Sequence, residues 1–225
     1  MKDGTNPKGD VSFNNALTDS EASGKTLSEE ELFDKIRNSV VMVTAGEKHA
    51  SGIIVDITNE KVVMLTAGHL MTGFDQGIIT FATGNAGFGD VVYISENPDL
   101  CILSFKTECI DESLLKQLTY MKVDISNFDN LSEGDEVYFL GSAIATGSNA
   151  TKGTVASKNF YMSDYDAWML YLYADVMAGM SGCGVFDSDG ELVGILCAGN
   201  GSGEAVAIKL SDIIDKLEVV CYDKD

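Results

Sequence analysis

The sequence predicts an all-β protein built from two closed sheets packed together. About six short apolar, β-branched runs lie on each side of a polar stretch at 106–132. Glycine supplies 23 of the 225 residues and proline only two, which fits many strands joined by tight turns rather than disorder. Closing each set of strands on itself removes the unpaired edges that open sheets present.

Taken in order, residues 1–27 are rich in Gly, Asn, Ser, Asp and Lys without any period and read as a flexible N-terminal tail. Ser28 with Glu31 three residues on is a capping box, and Leu32, Phe33 and Ile36 give the short helix behind it an apolar side. Strands follow at 40–44, 50–57 and 61–66, parted by turns at 46–48 and 58–60, with His49 in the first turn region. Further strands are predicted at 78–82, 90–95 and 100–105. The connector holds a helical turn at 112–118 and a loop at 126–130. The second series runs over 136–141, 152–157, 168–173, 184–186, 192–197 and 205–208. Ser211 then caps a closing helix in which Ile213, Ile214, Leu217 and Val220 recur at helical spacing. The implied division is a tail at 1–27, a helix with the first sheet at 28–125, and the second sheet with the closing helix at 126–225.

Length and composition narrow the partners. A chain of 225 residues buries a sizeable core, and 45% hydrophobic residues is ordinary for a globular protein. No apolar run is long enough for a helix to cross a bilayer. The net charge of −20 repels nucleic acid and anionic membrane surfaces, serves solubility, and attracts basic peptides. The start, Met-Lys-Asp-Gly-Thr-Asn-Pro, lacks the apolar core of a signal peptide. The location expected is the cytoplasm if the chain is whole. It is secreted or surface-tethered if a signal or anchor has been removed, which the polar spacer favours. The cysteines Cys101, Cys109, Cys183, Cys197 and Cys221 are odd in number, so at least one has no partner within the chain. None forms a CxxC pair that would suggest zinc, so no metal is expected, and no cofactor either. Most read as buried thiols.

Three stretches carry chemistry. Ser181 lies between Gly179 and Gly182 ahead of the apolar pair Val185 and Phe186, a turn that offers a hydroxyl and neighbouring N–H groups to a carbonyl. A glycine turn feeding a strand is equally ordinary hairpin chemistry. His69 follows an apolar strand within Thr66-Ala-Gly-His-Leu70, where a satisfied core histidine is the plain alternative. Asp99 opens Asp99-Leu-Cys-Ile-Leu103, where the alternative is a turn residue at a strand start. Nucleophile, base and orienter in one chain make a triad, whose order is permuted between folds.

These blocks resemble the signature blocks of the trypsin/chymotrypsin-like serine peptidases, in the compact bacterial branch that includes the HtrA-type proteases, here without a PDZ-like segment following. Matches at 50–56, 131–137, 151–157 and 193–199 keep the same order, so the resemblance spans roughly residues 38 to 220. It implies two six-stranded antiparallel β-barrels of the chymotrypsin type. It also implies a Ser181–His69–Asp99 triad, an oxyanion hole from the N–H groups of Gly179 and Ser181, and a substrate-binding strand at Cys197, Ala198 and Gly199. Asp175, six residues before Ser181, matches the spacing of an aspartate that selects Arg or Lys, with small apolar residues as the competing preference. Three positions depart from the pattern. Met180 stands where relatives carry Asp or Asn, which argues against activation by a new N-terminus. Cys183 and Gly184 stand where Gly-Pro is common. Cys197 stands where a serine often supports the triad aspartate.

The function implied is a serine endopeptidase acting on peptides or proteins. The alternative is a protease fold without catalytic power that holds peptides along a strand edge. An esterase of the α/β-hydrolase kind is excluded, because Cys183 breaks the Gly-x-Ser-x-Gly pattern and the order is His, Asp, Ser.

Overall fold

The computed structural model of the chain describes residues 27–142 and 150–218. It begins with the helix α1 (Glu29–Ile36), where Ser28 Oγ accepts the Glu31 N–H at 3.3 Å and the Glu31 carboxylate accepts the Ser28 N–H at 2.9 Å. That reciprocal cap satisfies donors no helix can satisfy within itself. The strands β1 (Val40–Ala45), β2 (Lys48–Ile57), β3 (Lys61–Ala67), β4 (Gln76–Phe81), β5 (Ala86–Ser95) and β6 (Leu100–Lys106) then close an antiparallel barrel in the order β1-β2-β3-β6-β5-β4. The short helix α2 (Gly68–Met71) leaves β3, and α3 (Glu112–Leu115) and α4 (Ile125–Asn130) lie in the connector.

A second closed barrel follows from β7 (Glu136–Leu140), β8 (Ala150–Met162), β9 (Ala167–Ala174), β10 (Gly184–Phe186), β11 (Leu192–Gly199) and β12 (Glu204–Lys209), ordered β10-β11-β12-β9-β8-β7. The helix α5 (Leu210–Leu217) ends the described chain. The two six-stranded antiparallel barrels are the architecture expected from the sequence.

Burial on both faces explains why β2, β3 and β6 read as continuous apolar runs rather than alternating ones. Ile54, Met64 and Leu103 belong to the interior of the first barrel, while their neighbours Ile53, Leu65 and Ile102 join a core shared with the second barrel and α1. The three strands thus form the wall between the barrels, and the His and Asp blocks sit where two of them end.

Several elements differ from expectation for local reasons. Residues 126–130 belong to a helix, not a loop, because the Asp124 carboxylate accepts the Ser126 N–H at 3.1 Å and Phe128 is buried beneath it. Ser211 does not cap the closing helix; α5 follows β12 directly, with Lys209 in the cap position and no side-chain cap. β8 continues through Ser157, Lys158 and Asn159 by shifting register against β9, so the polar interruption bends the strand without ending it. His49 sits on β2 opposite Thr44 and is exposed. The tail expected at 1–27 lies outside the described residues except for Leu27, as do Val220 and Cys221.

Candidate active site

Strand pairing brings His69 and Asp99 together. In the antiparallel β3–β6 ladder Thr66 faces Cys101 and Ala67 faces Leu100, so the residues just beyond the ladder's end, His69 and Asp99, meet across it. The Gly68 N–H donates to the Asp99 carbonyl at 3.1 Å, and a Cβ at Gly68 would lie 2.5 Å from the Ser95 carbonyl oxygen, so the approach requires glycine. Asp99 is 3% exposed, and one residue occupies both its carboxylate oxygens. The His69 N–H donates to Oδ1 at 2.6 Å, and Nδ1 lies 2.7 Å from Oδ2. This geometry makes Nδ1 the protonated nitrogen and leaves Nε2 as the acceptor of the neutral ring. The hydrogen bond to Asp99 raises the His69 pKa above its ordinary 6.5; burial and the more distant Lys48 oppose the shift, and the Asp99 charge adds to it.

The serine stands on a turn made by glycine. The Met180 N–H closes onto the Met177 carbonyl at 3.1 Å, and Gly179, the third residue of that turn, has φ +89°, which a type II turn requires there. Among the described residues neither the Gly179 nor the Ser181 N–H donates to a protein acceptor, which leaves both donors for a ligand. Gly182, at φ +82°, comes so close to the first barrel that a Cβ would lie 2.3 Å from the Ser51 carbonyl oxygen. Its N–H donates to Leu196 O at 2.7 Å. Met180 is fully buried, joining the shared core where an acidic residue would need an ionic partner.

His69, Ser181, Cys197, Ala198 and Gly199 line one cleft of about 620 Å³, joined by Tyr165, Val176 and Ala178. Gly179 stands in the turn between the lining residues Ala178 and Ser181, and Asp99 lies behind the imidazole. The Ser181 hydroxyl makes no hydrogen bond among the described residues, which leaves it open to the cleft it lines.

Asp175 is the predicted residue that the structure keeps out of the cleft wall. It is exposed, and its carbonyl accepts a bond from Thr151 Oγ1 at 3.4 Å. Val176 lines the cleft, close enough to Gly199 that a Cβ there would lie 2.1 Å from Val176 Cγ2. Asp175 is absent from that lining, and its Oδ1 lies beside Gly203, 3.6 Å from where a Cβ there would stand. Tyr165 and Val176 were not foreseen, and nothing in their local sequence marks them. Glu204 turns its carboxylate to the Tyr171 hydroxyl and Asn200 Nδ2, beside an adjoining hollow of about 210 Å³ that shares Tyr165, Ala198, Gly199 and Asn200 with the cleft.

Cys197 Sγ faces the Ile195 carbonyl at 3.8 Å, so the thiol does not support Asp99 as a serine would. Burial, reinforced by the Asp99 charge, pushes its pKa well up, and the same causes push Cys101 to about 12. Cys101, Cys183 and Cys197 are buried free thiols, and Cys109 is exposed and free. Among the described residues no cluster of His, Cys, Asp and Glu could hold a metal ion.

A family model described as trypsin-like peptidase domain matches residues 50–195. The curated relative "Serine protease HtrA-like" of Staphylococcus epidermidis is 24% identical over 178 residues, which cover 72% of this chain and 29% of that protein. The chain thus spans less than a third of the length of that relative. Among solved structures, Deg5 aligns with a TM-score of 0.67 at 21% identity, covering 88% of this chain and 99% of its own. The HtrA-type protease AlgW with tripeptide aligns at TM-score 0.70 and 21% identity, covering 88% of this chain and 65% of that one. A serine endoprotease from Yersinia pestis gives 0.68 at 20% identity, covering 88% and 68%. At these identities the solved structures establish the shared fold.

Proposed function

The chain belongs to the trypsin-like peptidase domain family, and we propose from that premise that it is a serine endopeptidase using Ser181, His69 and Asp99. Ser181 Oγ attacks the scissile carbonyl as His69 Nε2 takes its proton, and the protonated imidazole then passes that proton to the leaving amine. Asp99 holds the ring in the Nδ1–H tautomer and stabilises the imidazolium. The N–H groups of Gly179 and Ser181 receive the charge that develops on the carbonyl oxygen. The observation that carries this reading is the His69–Asp99 pair, at 2.7 Å, opening into the same cleft as Ser181.

The substrate is a peptide or protein segment in extended form. β11 outruns β10, so at Cys197, Ala198 and Gly199 it has no β10 partner on the cleft side and can pair with a substrate backbone. On the acyl side of the cut, Val176 against Gly199 favours a small or apolar side chain over Arg or Lys. A fluorophosphonate probe tests the nucleophile, base and oxyanion hole together. The wild-type protein should be labelled and should cleave casein. Ser181→Ala should lose both with an unchanged fold and a kcat lower by about 10⁴ or more. Cleavage that persists in this variant refutes the reading.

A further inference from the structure

With Met180 in place of an acidic residue, something else must hold the nucleophile turn open. We infer that the Ser51 hydroxyl is the positioning group that keeps the Gly179 N–H available to the oxyanion, an assignment that rests on the proposed peptidase reading. Ser51 lies on β2 in the first barrel and is fully buried. Its Oγ donates to the Gly179 carbonyl at 2.7 Å and accepts the Ser142 N–H at 2.9 Å. Its own N–H donates to the Ser181 carbonyl at 2.9 Å. One residue therefore holds the chain immediately before and immediately after Met180. The Ser51 carbonyl is fixed in turn by Thr66 Oγ1 at 2.7 Å, three residues before His69.

The peptide geometry explains why this matters. The Gly179–Met180 peptide is tied at both ends, its N–H to Met177 O at 3.1 Å and its carbonyl to Ser51 Oγ. The Ala178–Gly179 peptide, which carries the proposed oxyanion donor, has no such tie at its N–H. A type I turn differs from a type II turn by a flip of that middle peptide. Such a flip turns the Gly179 N–H away from its type II direction. Both turns keep the next peptide in the same orientation, so the Ser51 ties act on where the turn stands: they fix the Gly179 and Ser181 carbonyls against β2, and with them the place of the Gly179 N–H. The neighbouring Gly141 must stay small, because a Cβ there would lie only 3.2 Å from Ser51 Oγ.

Ser51→Ala removes the tie while keeping the volume. Its kcat should fall about ten- to hundredfold, less than the roughly 10²–10³ lost when an oxyanion donor itself is removed, with KM changed by no more than about twofold. A peptide aldehyde, whose adduct carries the oxyanion, should bind more weakly by a similar factor, while the matching peptide alcohol binds as to wild type. Thr66→Val disturbs the same network without touching Gly179 and should leave the aldehyde-to-alcohol ratio intact. If Ser51→Ala does not fold, Ser51→Cys, which fills the site with a weak donor, should show the same ratio change. Equal loss of both ligands, or wild-type kcat in Ser51→Ala, overturns the assignment. Deuterium exchange at the Met180 amide reads the turn without any catalysis and should speed up in Ser51→Ala. Unchanged exchange refutes the clamp. Absence of fluorophosphonate labelling in wild type refutes the peptidase reading instead.

Discussion

As the proposed base, His69 should couple activity and stability to pH in opposite directions. Its pKa is raised by the hydrogen bond to Asp99, so the ring stays protonated to higher pH than a free histidine. The proposed base must be neutral, so activity should rise with a midpoint above about 6.5 and then level off. A raised folded-state pKa stabilises the fold fully below the unfolded value, and that contribution is lost as pH rises through the folded value. Melting temperature should therefore decline slightly over the range in which activity climbs. Asp99→Asn should lower the midpoint of the labelling rate and reduce kcat by about 10⁴; an unmoved midpoint would sever the coupling. Val176 sets a second expectation at this scale. Fluorogenic peptides varied at the acyl-side residue should rank Val and Ala above Arg and Lys. Val176→Ala should shift kcat/KM toward larger side chains by about 10–200-fold. A lysine or arginine preference abolished by Asp175→Ser would reverse the assignment.

At the scale of elements, the close approach of the Gly179–Gly182 turn to β2 and β3 makes Gly182 irreplaceable. A Cβ there would meet the Ser51 carbonyl oxygen at 2.3 Å, Thr66 Oγ1 at 2.5 Å and the Ala67 nitrogen at 2.8 Å, and φ is +82°. Backbone cannot yield as a side chain can, so Gly182→Ala should abolish labelling and lower the melting temperature. Gly134→Ala, strained at φ +95° but with nothing within 4 Å, should cost stability alone. If the two behave alike in activity assays, the packing of the turn on the first barrel is not what positions Ser181. The α1 cap is a milder case: Ser28→Ala should destabilise by about 0.5–2 kcal/mol, read by denaturant unfolding, with kcat unchanged.

The molecule as a whole carries a net charge of −20 around a cleft proposed to take extended peptides. Long-range attraction of this kind acts on encounter and is screened within about 8–10 Å at ordinary salt. For substrates with basic residues away from the cut, kcat/KM should fall as salt rises, while kcat holds. Neutral substrates should show little of this. Equal salt dependence for both would place the charge in solubility alone. The shared core between the barrels has a further consequence: β2, β3 and β6 bury both faces, so Ile53→Ala, in that wall, should cost about 2–5 kcal/mol and disturb the cleft it supports. Thermal unfolding and labelling rate would then fall together.

What the sequence determined by itself is whatever short-range chemistry encodes. The capping box at Ser28 and Glu31, the β-branched runs and the glycines of the turns each act within a few residues, so the barrels' strands and the Gly179–Gly182 turn are legible in order. The His69, Asp99 and Ser181 blocks are legible for the same reason, since each is tied to a strand end. Only the tertiary structure decided which side chains line the cleft, because the segments that carry Tyr165 and Val176 reach it through the packing of the whole barrel and not through their own local sequence. It also brought Ser51 to its partners Gly179 and Ser181, more than a hundred residues away along the chain. No local pattern marks a hydroxyl for a carbonyl that only barrel closure and packing bring to 2.7 Å.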